Sequence, residues 1–205
     1  MKQWLATVVL TGMLMVTAHA VWAASTAEAQ AAIKETTDKM LAALTREKDN
    51  LKKNPKRVYA LVDEIVLPVF DFHRMSKYVL GKNWNQGTKA QQKHFAEAFR
   101  DLLVRTYSTA LVEAAADGVK VTYQPVRGDD ANRITLNTIV QQGNQKPMTV
   151  DYAMYYHQGQ WKVYNVTVGG VSLVTNYRSE FANDIKTIGM DGLIKKIADE
   201  NKAKS

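Results

Sequence analysis

The chain has 205 residues, no cysteine, and 27 Lys and Arg against 20 Asp and Glu, a formal net charge of +7. Without cysteine there is no disulfide, no thiol nucleophile and no lipidated N-terminal cysteine, so stability has to come from a hydrophobic core. The positive balance favours anionic partners. However, the basic residues cluster only at Lys52, Lys53, Lys56 and Arg57 and at Lys195, Lys196, Lys202 and Lys204, without the interleaved stacking aromatics of a nucleic-acid surface. They read as solvated helix faces or as docking points for an acidic protein or an anionic membrane.

Lys2 precedes an uncharged apolar run from Leu5 to Val16, which ends in the small-residue triplets Ala18, His19, Ala20 and Val21, Trp22, Ala23. An apolar run of about a dozen residues is shorter than the ~20 needed to span a bilayer. The pattern predicts a cleaved secretory leader over residues 1–23, cut after Ala20 or Ala23. Residues 24–205 then form one exported domain carrying 26 basic and 20 acidic residues. No Pro, Gly or Ser-rich linker divides it. At this size a domain buries about 70% of its unfolded surface, enough for a core.

From Ser25 to Lys48, Ile33, Thr37, Met40, Leu41 and Leu44 share one helical face. Asn54 and Pro55 read as the cap and first turn of a second helix, with its stripe at Val58, Leu61, Val62 and Ile65. Pro68 ends it. Asp71 offers a new N-cap for a short helix through Phe72, Met75, Tyr78 and Val79, stopped by Gly81. Thr88 and Gln91 form a capping box that opens a long helix with Phe95, Phe99, Leu102, Leu103, Tyr107, Ala110 and Leu111 on its stripe, ending before Gly118.

The period then changes from 3.6 to 2 at Val119, Val121 and Tyr123, again from Ile134 to Val140 and from Val150 to Tyr156, with a fourth run from Trp161 to Val168. Turn signals at Gly128 to Asp130, Gly143 with Asn144, and Gln158 with Gly159 predict an antiparallel meander of about four strands. The last two runs are apolar on more than one face, which implies cover on both sides. Gly169 and Gly170 lead into a helix from about Val171 to Ile188, and Gly189 separates a last basic helix. Helices segregated around one antiparallel sheet give an α+β domain.

No catalytic spacing stands out. There is no GxSxG, and His73 and His94 lack a second ligand four residues on. Asp63 and Glu64 are adjacent on a helix and point apart. Asp151 is the best candidate for a buried carboxylate, although alternation with Val150 and Tyr152 reads it as an outward polar position. Gly169 and Gly170 could present backbone amides to a phosphate, but a helix entry needs flexible backbone in any case. Met75, Met148, Met154, Tyr78, Tyr107, Tyr152, Tyr155, Tyr156, Tyr164 and Tyr177 supply deformable apolar groups. A filled core and a core split open by acyl chains would use them equally.

Five segments, LPVFDF from Leu67, MSKYVLGKNW from Met75, QQKHFAEAFRDLLVRTY from Gln91, GVSLVTNYRSEF from Gly170 and GMDGLI from Gly189, closely resemble the MlaC or toluene-tolerance family of periplasmic phospholipid-binding proteins. The resemblance spans about Thr26 to Asn201. It implies a fold related to nuclear-transport-factor-like domains, the antiparallel sheet packed with N-terminal and C-terminal helices. An apolar cavity between sheet and helices takes the lipid tails while the head group stays in solvent. It further implies a non-enzymatic carrier in the periplasm whose cargo is phospholipid, with no other cofactor and no nucleic-acid partner. Such a carrier exchanges lipid with an outer-membrane lipoprotein–porin complex and with an inner-membrane ABC transporter complex bearing its own lipid-binding domain, maintaining outer-membrane lipid asymmetry. Shielding is needed because each methylene withdrawn from water is worth about 0.8 kcal/mol.

The lining expected on the family-like blocks, the long helix and the strands is Val66, Phe72, Met75, Val79, Leu103, Tyr107, Val121, Leu136, Met154, Val163, Val171 and Leu173. Arg178 and the basic residues near Lys52 are candidates for docking or head-group contact, with solvated surface as the alternative. Two other classes compete. One is an enzyme of ketosteroid-isomerase-like architecture with Asp151 in an apolar pocket. The other is a periplasmic carrier or chaperone for acylated protein, which would share the cavity.

Overall fold

The computed structural model describes residues 17–54, 56–130 and 132–203. The apolar run of the expected leader, from Leu5 to Val16, lies outside the described residues, and helix α1 spans Thr17–Arg46. Then follow α2 (Lys48–Lys53), α3 (Arg57–Ile65), α4 (Phe72–Leu80), a 3-10 turn (Gly81–Gln86) and α5 (Lys89–Asp117). The strands are β1 (Val119–Tyr123), β2 (Arg127–Asp130), β3 (Arg133–Gln142), β4 (Met148–His157), β5 (Gln160–Val168) and β6 (Val171–Ser172), and α6 (Leu173–Ala203) closes the chain. Among the described residues no helix is long and apolar enough to cross a membrane.

The caps explain most of the helix boundaries. Asp71 Oδ1 accepts from the Arg74 amide at 2.8 Å and opens α4, and Gly81 ends it with φ 55°. Thr88 Oγ accepts from the Gln91 amide at 3.2 Å while Gln91 Oε1 accepts from the Thr88 amide at 2.9 Å, the reciprocal box that starts α5. The start of α3 departs from expectation. Lys56 occupies the N-cap without a side-chain bond, and Asn54 contributes its carbonyl, which accepts from the Arg57 amide at 3.0 Å. Arg57 is held instead by Glu47, Nε to Oε2 at 2.8 Å, and by Glu64 at 3.2 Å. On α5 the buried stripe is Phe95, Phe99, Leu102 and Leu103; Ala110, expected on it, is exposed.

The sheet has six strands rather than four, ordered β1-β3-β4-β5-β6, with β2 also on β3. The four expected runs are all present. The added β2 occupies residues read as a turn: its register on β3 shifts between Arg127, opposite Thr135, and Asp130, opposite Arg133. Gly128 makes this close approach possible, since a Cβ there would stand 2.7 Å from the Arg133 carbonyl oxygen. At the other edge Gly169 and Gly170, with φ 56° and 86°, turn the chain back so that Val171 and Ser172 pair with Val168 and Thr167. The last helix therefore begins at Leu173, not Val171, and it breaks at Gly189, with φ 72°.

Three packed clusters make the interior. A helical cluster joins α4, the 3-10 turn, α5 and α6 around Phe95, Phe99, Phe181 and Leu193. A sheet cluster sets Ile134, Leu136, Met154, Trp161, Val163 and Val166 against Ala29 and Ile33 of α1. The other half of α1 packs Met40, Ala43 and Leu44 on α2 and α3. Helix α1 thus covers one face of the sheet, and α4 and the start of α6 cover the other near β5.

Two substitutions test these boundaries. Gly128→Ala should lower unfolding free energy by about 1–3 kcal/mol through overpacking against β3. Thr88→Ala should lower it by about 1 kcal/mol through loss of the cap. Both are read by urea denaturation.

Candidate functional site

The helical and sheet clusters meet at the edge of β5. Here Val69 to Asp71 runs parallel beside the strand: the Val163 amide donates to the Val69 carbonyl at 2.8 Å and the Asp71 amide donates to the Val163 carbonyl at 2.8 Å. Phe70, from this segment, and Leu173, at the start of α6, pack on both clusters.

The twelve expected lining residues divide across this junction. Met75, Val79 and Leu103 are buried in the helical cluster, with Phe72 and Tyr107 packed at its side. Leu136, Met154 and Val163 lie in the sheet cluster, and Leu173 bridges the two. Val66 packs instead on the α1–α3 cluster. Val121 is half-buried in β1 opposite Val140, and Val171 stands 57% exposed on β6. The expected cavity between sheet and helices is not open, because these side chains fill the space: Met75, Val79, Leu136, Met154 and Val163 each expose 1% or less. A recess of about 410 Å³ opens on the α4–α5 side of Phe70, with Leu67, Phe70, Phe72 and Ala96 among its apolar walls and Lys89, Lys93, Glu97 and Arg100 among its charged ones.

A polar and aromatic cluster sits on the sheet face under α4. A β-bulge between β4 and β5 pairs Ala153 with Asn165 and Met154 with Val163, leaving Tyr164 as the extra residue. The bulge turns both Tyr164 and Asn165 toward α4 and α6. Asn165 Oδ1 accepts from the Val174 amide at 3.2 Å, capping α6 together with Ser172, whose Oγ accepts from the Thr175 amide at 3.2 Å. Tyr164 packs 5.2 Å from Tyr78 and 5.9 Å from Tyr155, between ring centroids. The Arg74 guanidinium lies 3.8 Å over the Tyr155 ring, and the Tyr155 hydroxyl donates to Asp71 Oδ2. Burial pushes the Tyr155 phenol above its ordinary pKa.

The remaining candidates have structural placements. Arg178 Nε donates to the Tyr78 carbonyl at 2.8 Å. It thus satisfies an acceptor at the C-terminus of α4 and fastens α6 to that helix. Asp151 pairs across the sheet with Asn137 and Thr167, on the face opposite Leu136 and Met154, as its alternation predicted. His73 packs edge-on to Trp84 at 5.0 Å, and His94 is exposed. Among the described residues no three His, Cys, Asp or Glu side chains converge as a metal site.

Residues 34–199 match the profile of the family described as "MlaC protein". The chain belongs to the MlaC family. It is 30% identical over 160 residues to the toluene tolerance protein ttg2D of Pseudomonas putida, covering 78% of this chain and 74% of that one. It is 22% identical over 168 residues to the intermembrane phospholipid transport system binding protein MlaC of Haemophilus influenzae, covering 80% and 78%. Its fold superposes with TM-score 0.79 and 31% identity on the phospholipid-binding protein of Ralstonia solanacearum in complex with a phospholipid, covering 86% of this chain and 98% of that one. In this MlaC-family chain, sequence reading missed Phe70 as a bridge between cores and Arg74 as the centre of the tyrosine cluster. The Asp71 cap and the tyrosine-rich β4 and β5 were the available signals.

Beside the sheet cluster, burial pushes the Tyr152 phenol up to about 12. The folded state therefore holds this proton more tightly than the unfolded chain, whose tyrosine titrates near 10. The associated stability is fully present below pH ~10 and is lost as pH rises toward 12, a total of roughly 2–3 kcal/mol. Tyr152→Phe should flatten that decline in denaturation measured from pH 9 to 12.

Proposed function

We propose that this chain is a periplasmic phospholipid carrier that shields acyl chains between its helical and sheet clusters. It is delivered by a cleaved leader over residues 1–23 and folds as one domain over residues 24–205. The observation that carries the reading is the match to the Ralstonia solanacearum protein, which was solved with a phospholipid bound and is covered over 98% of its length. The relative from Haemophilus influenzae, described as an intermembrane phospholipid transport binding protein, supports transport as well as binding.

The chemistry of the junction is consistent with that role. Acyl chains need apolar walls and no positioned polar group; the apolar groups that flank the junction are Phe72, Met75, Val79, Leu103 and Tyr107 in the helical cluster and, past Phe70 at the edge of β5, Leu136, Met154 and Val163 on the α1 face of the sheet. Parting the clusters at Phe70 and Leu173 exposes side chains that lipid methylenes cover again at about 0.8 kcal/mol each. We leave Val66, Val121 and Val171 out of the proposed lining because they lie outside both clusters. The lipid is exchanged with an outer-membrane lipoprotein–porin complex and an inner-membrane ABC transporter complex, whose lipid-binding domain presents the membrane end of the route.

Native mass spectrometry of the purified protein with lipid extraction tests the reading. Stoichiometric phospholipid of varied head group is expected. Leu173→Trp and Met154→Trp, if folded by circular dichroism, should each lower copurifying lipid several-fold. Unchanged lipid in both variants would remove the junction as the binding site.

A further inference from the structure

We propose that Arg74 anchors the phosphodiester of the bound lipid's head group, at the solvent-facing rim of the junction. The assignment rests on the acyl-chain reading above and adds the polar half of the ligand to it.

The first ground is the state of the guanidinium. It lies 3.8 Å from the Tyr155 ring centroid and 5.8 and 5.9 Å from those of Tyr78 and Tyr164. The aromatic faces, with the hydroxyls of Tyr78 and Tyr155 as hydrogen-bonding partners, orient the planar cation without neutralising it. Asp71, the acid of the same helical turn, is already committed, one oxygen accepting from the Arg74 amide and the other from the Tyr155 hydroxyl. Among the described residues no carboxylate forms an ion pair with Arg74, and its Nε is buried with no acceptor. A buried charged donor without an acceptor is costly. A methionine in the same place would pack on the tyrosines without that cost, so the cation needs a reason to be there.

The second ground is the surrounding charge. Arg133, Tyr155 and Lys162 stand directly opposite one another on β3, β4 and β5 and so share one face of the sheet. Tyr155 is thus flanked by cations on both neighbouring strands and stacked under a third. His157 adds a ring 5.8 Å from Tyr155, and Lys162 Nζ reaches the Pro68 carbonyl at 2.5 Å, drawing that cation toward α4. The field of this patch attracts an anion toward the Arg74 guanidinium.

The third ground is position. Arg74 directly precedes Met75 of the helical cluster, and its neighbour Tyr164 adjoins Val163 at the edge of β5, whose side chain passes to the α1 face and the sheet cluster. A lipid whose tails part these clusters brings its glycerol phosphate to this rim. The matching chemistry is a singly charged phosphate ester, which guanidinium binds through two parallel hydrogen bonds. Because that group is common to all diacylglycerophospholipids, an Arg74 anchor selects the class and leaves the head-group substituent free.

The test compares two lipids with identical acyl chains, phosphatidylglycerol and diacylglycerol, each radiolabelled in phosphatidylcholine vesicles, and counts lipid retained by the purified protein. Arg74→Met should cut phosphatidylglycerol uptake by about tenfold or more and leave diacylglycerol uptake unchanged. Arg74→Lys, which keeps the charge and lacks the fork, should retain part of the preference and guards against a folding defect in the methionine variant. Equal losses for both lipids, or no loss for either, would overturn the assignment. Uptake of neither lipid by the unsubstituted protein would overturn the carrier reading with it. Calorimetric titration with inorganic phosphate separates the two sources of this anion: Arg74-dependent saturation at millimolar or lower concentration would assign the site to free phosphate and defeat the head-group anchor.

Discussion

The two backbone hydrogen bonds that Val163 exchanges with Val69 and Asp71 are the constraint on which the rest of the molecule depends. They lay an otherwise irregular segment along the free edge of β5, which blunts an edge strand and fixes the position of α4, since Asp71 is both the last residue of the segment and the cap of that helix. From this placement follow the seat of Phe70 on both apolar clusters, the stacking of Arg74 on Tyr155, and the reach of Arg178 to the end of α4. Four consecutive residues, Val69 to Phe72, therefore serve as sheet edge, bridge, cap and helix start.

On the proposed carrier role, a stable interior has to be reconciled with one that admits a guest. A single contiguous core makes every opening expensive, because dense packing transmits strain. Here the interior is divided, with Phe70 and Leu173 packed on both the helical and the sheet cluster. Each cluster keeps its own aromatic and aliphatic centre, the stacked Phe95 and Phe99 at 5.8 Å in one and the Met154–Val163 cross-strand pair in the other. Opening between two complete clusters exposes fewer buried groups than opening through one, which is how sub-global motions of low free energy arise.

Periodicity made the long elements legible. The stripes of α1, α3 and α5, the Asp71 and Thr88 caps, the stops at Gly81 and Gly189 and all four principal strands follow from residue spacing and local chemistry. What escaped depends on contacts between distant residues. β2 was read as a turn because Gly128 signals both a turn and a close backbone approach, and only the position of Arg133 distinguishes them. Asn54 was read as a cap because its side chain suits one, yet Glu47 from outside the helix and Glu64 from within it hold Arg57. The bulge at Tyr164 has no local signature. It shifts alternation along β5, so Tyr164 and Asn165 face the same way and serve two different helices. For the proposed lining, the residue types of a packed core and of a lipid-holding core coincide. The sequence therefore marked Met75, Met154 and Leu173 as apolar and interior without separating them into the two clusters they occupy. Arg74 went unmarked because its tyrosine neighbours on β4 and β5 lie far along the chain, 84 residues in the case of the Tyr155 bond to Asp71.

That separation along the chain also orders the assembly of the molecule. The hairpins from β3 to β6 close over short loops and form early, whereas the bond between Asp71 and Tyr155 closes a loop of 84 residues. Such loop closure carries an entropic cost that local contacts do not. The edge of β5 consequently waits, with its Val163 amide and carbonyl unpaired, until α4 and α5 arrive from the other half of the chain. During that interval the nascent sheet is most prone to pair with a second molecule. The segment from Val69 to Asp71 acts as a built-in guard that retires the sticky edge once the helices dock.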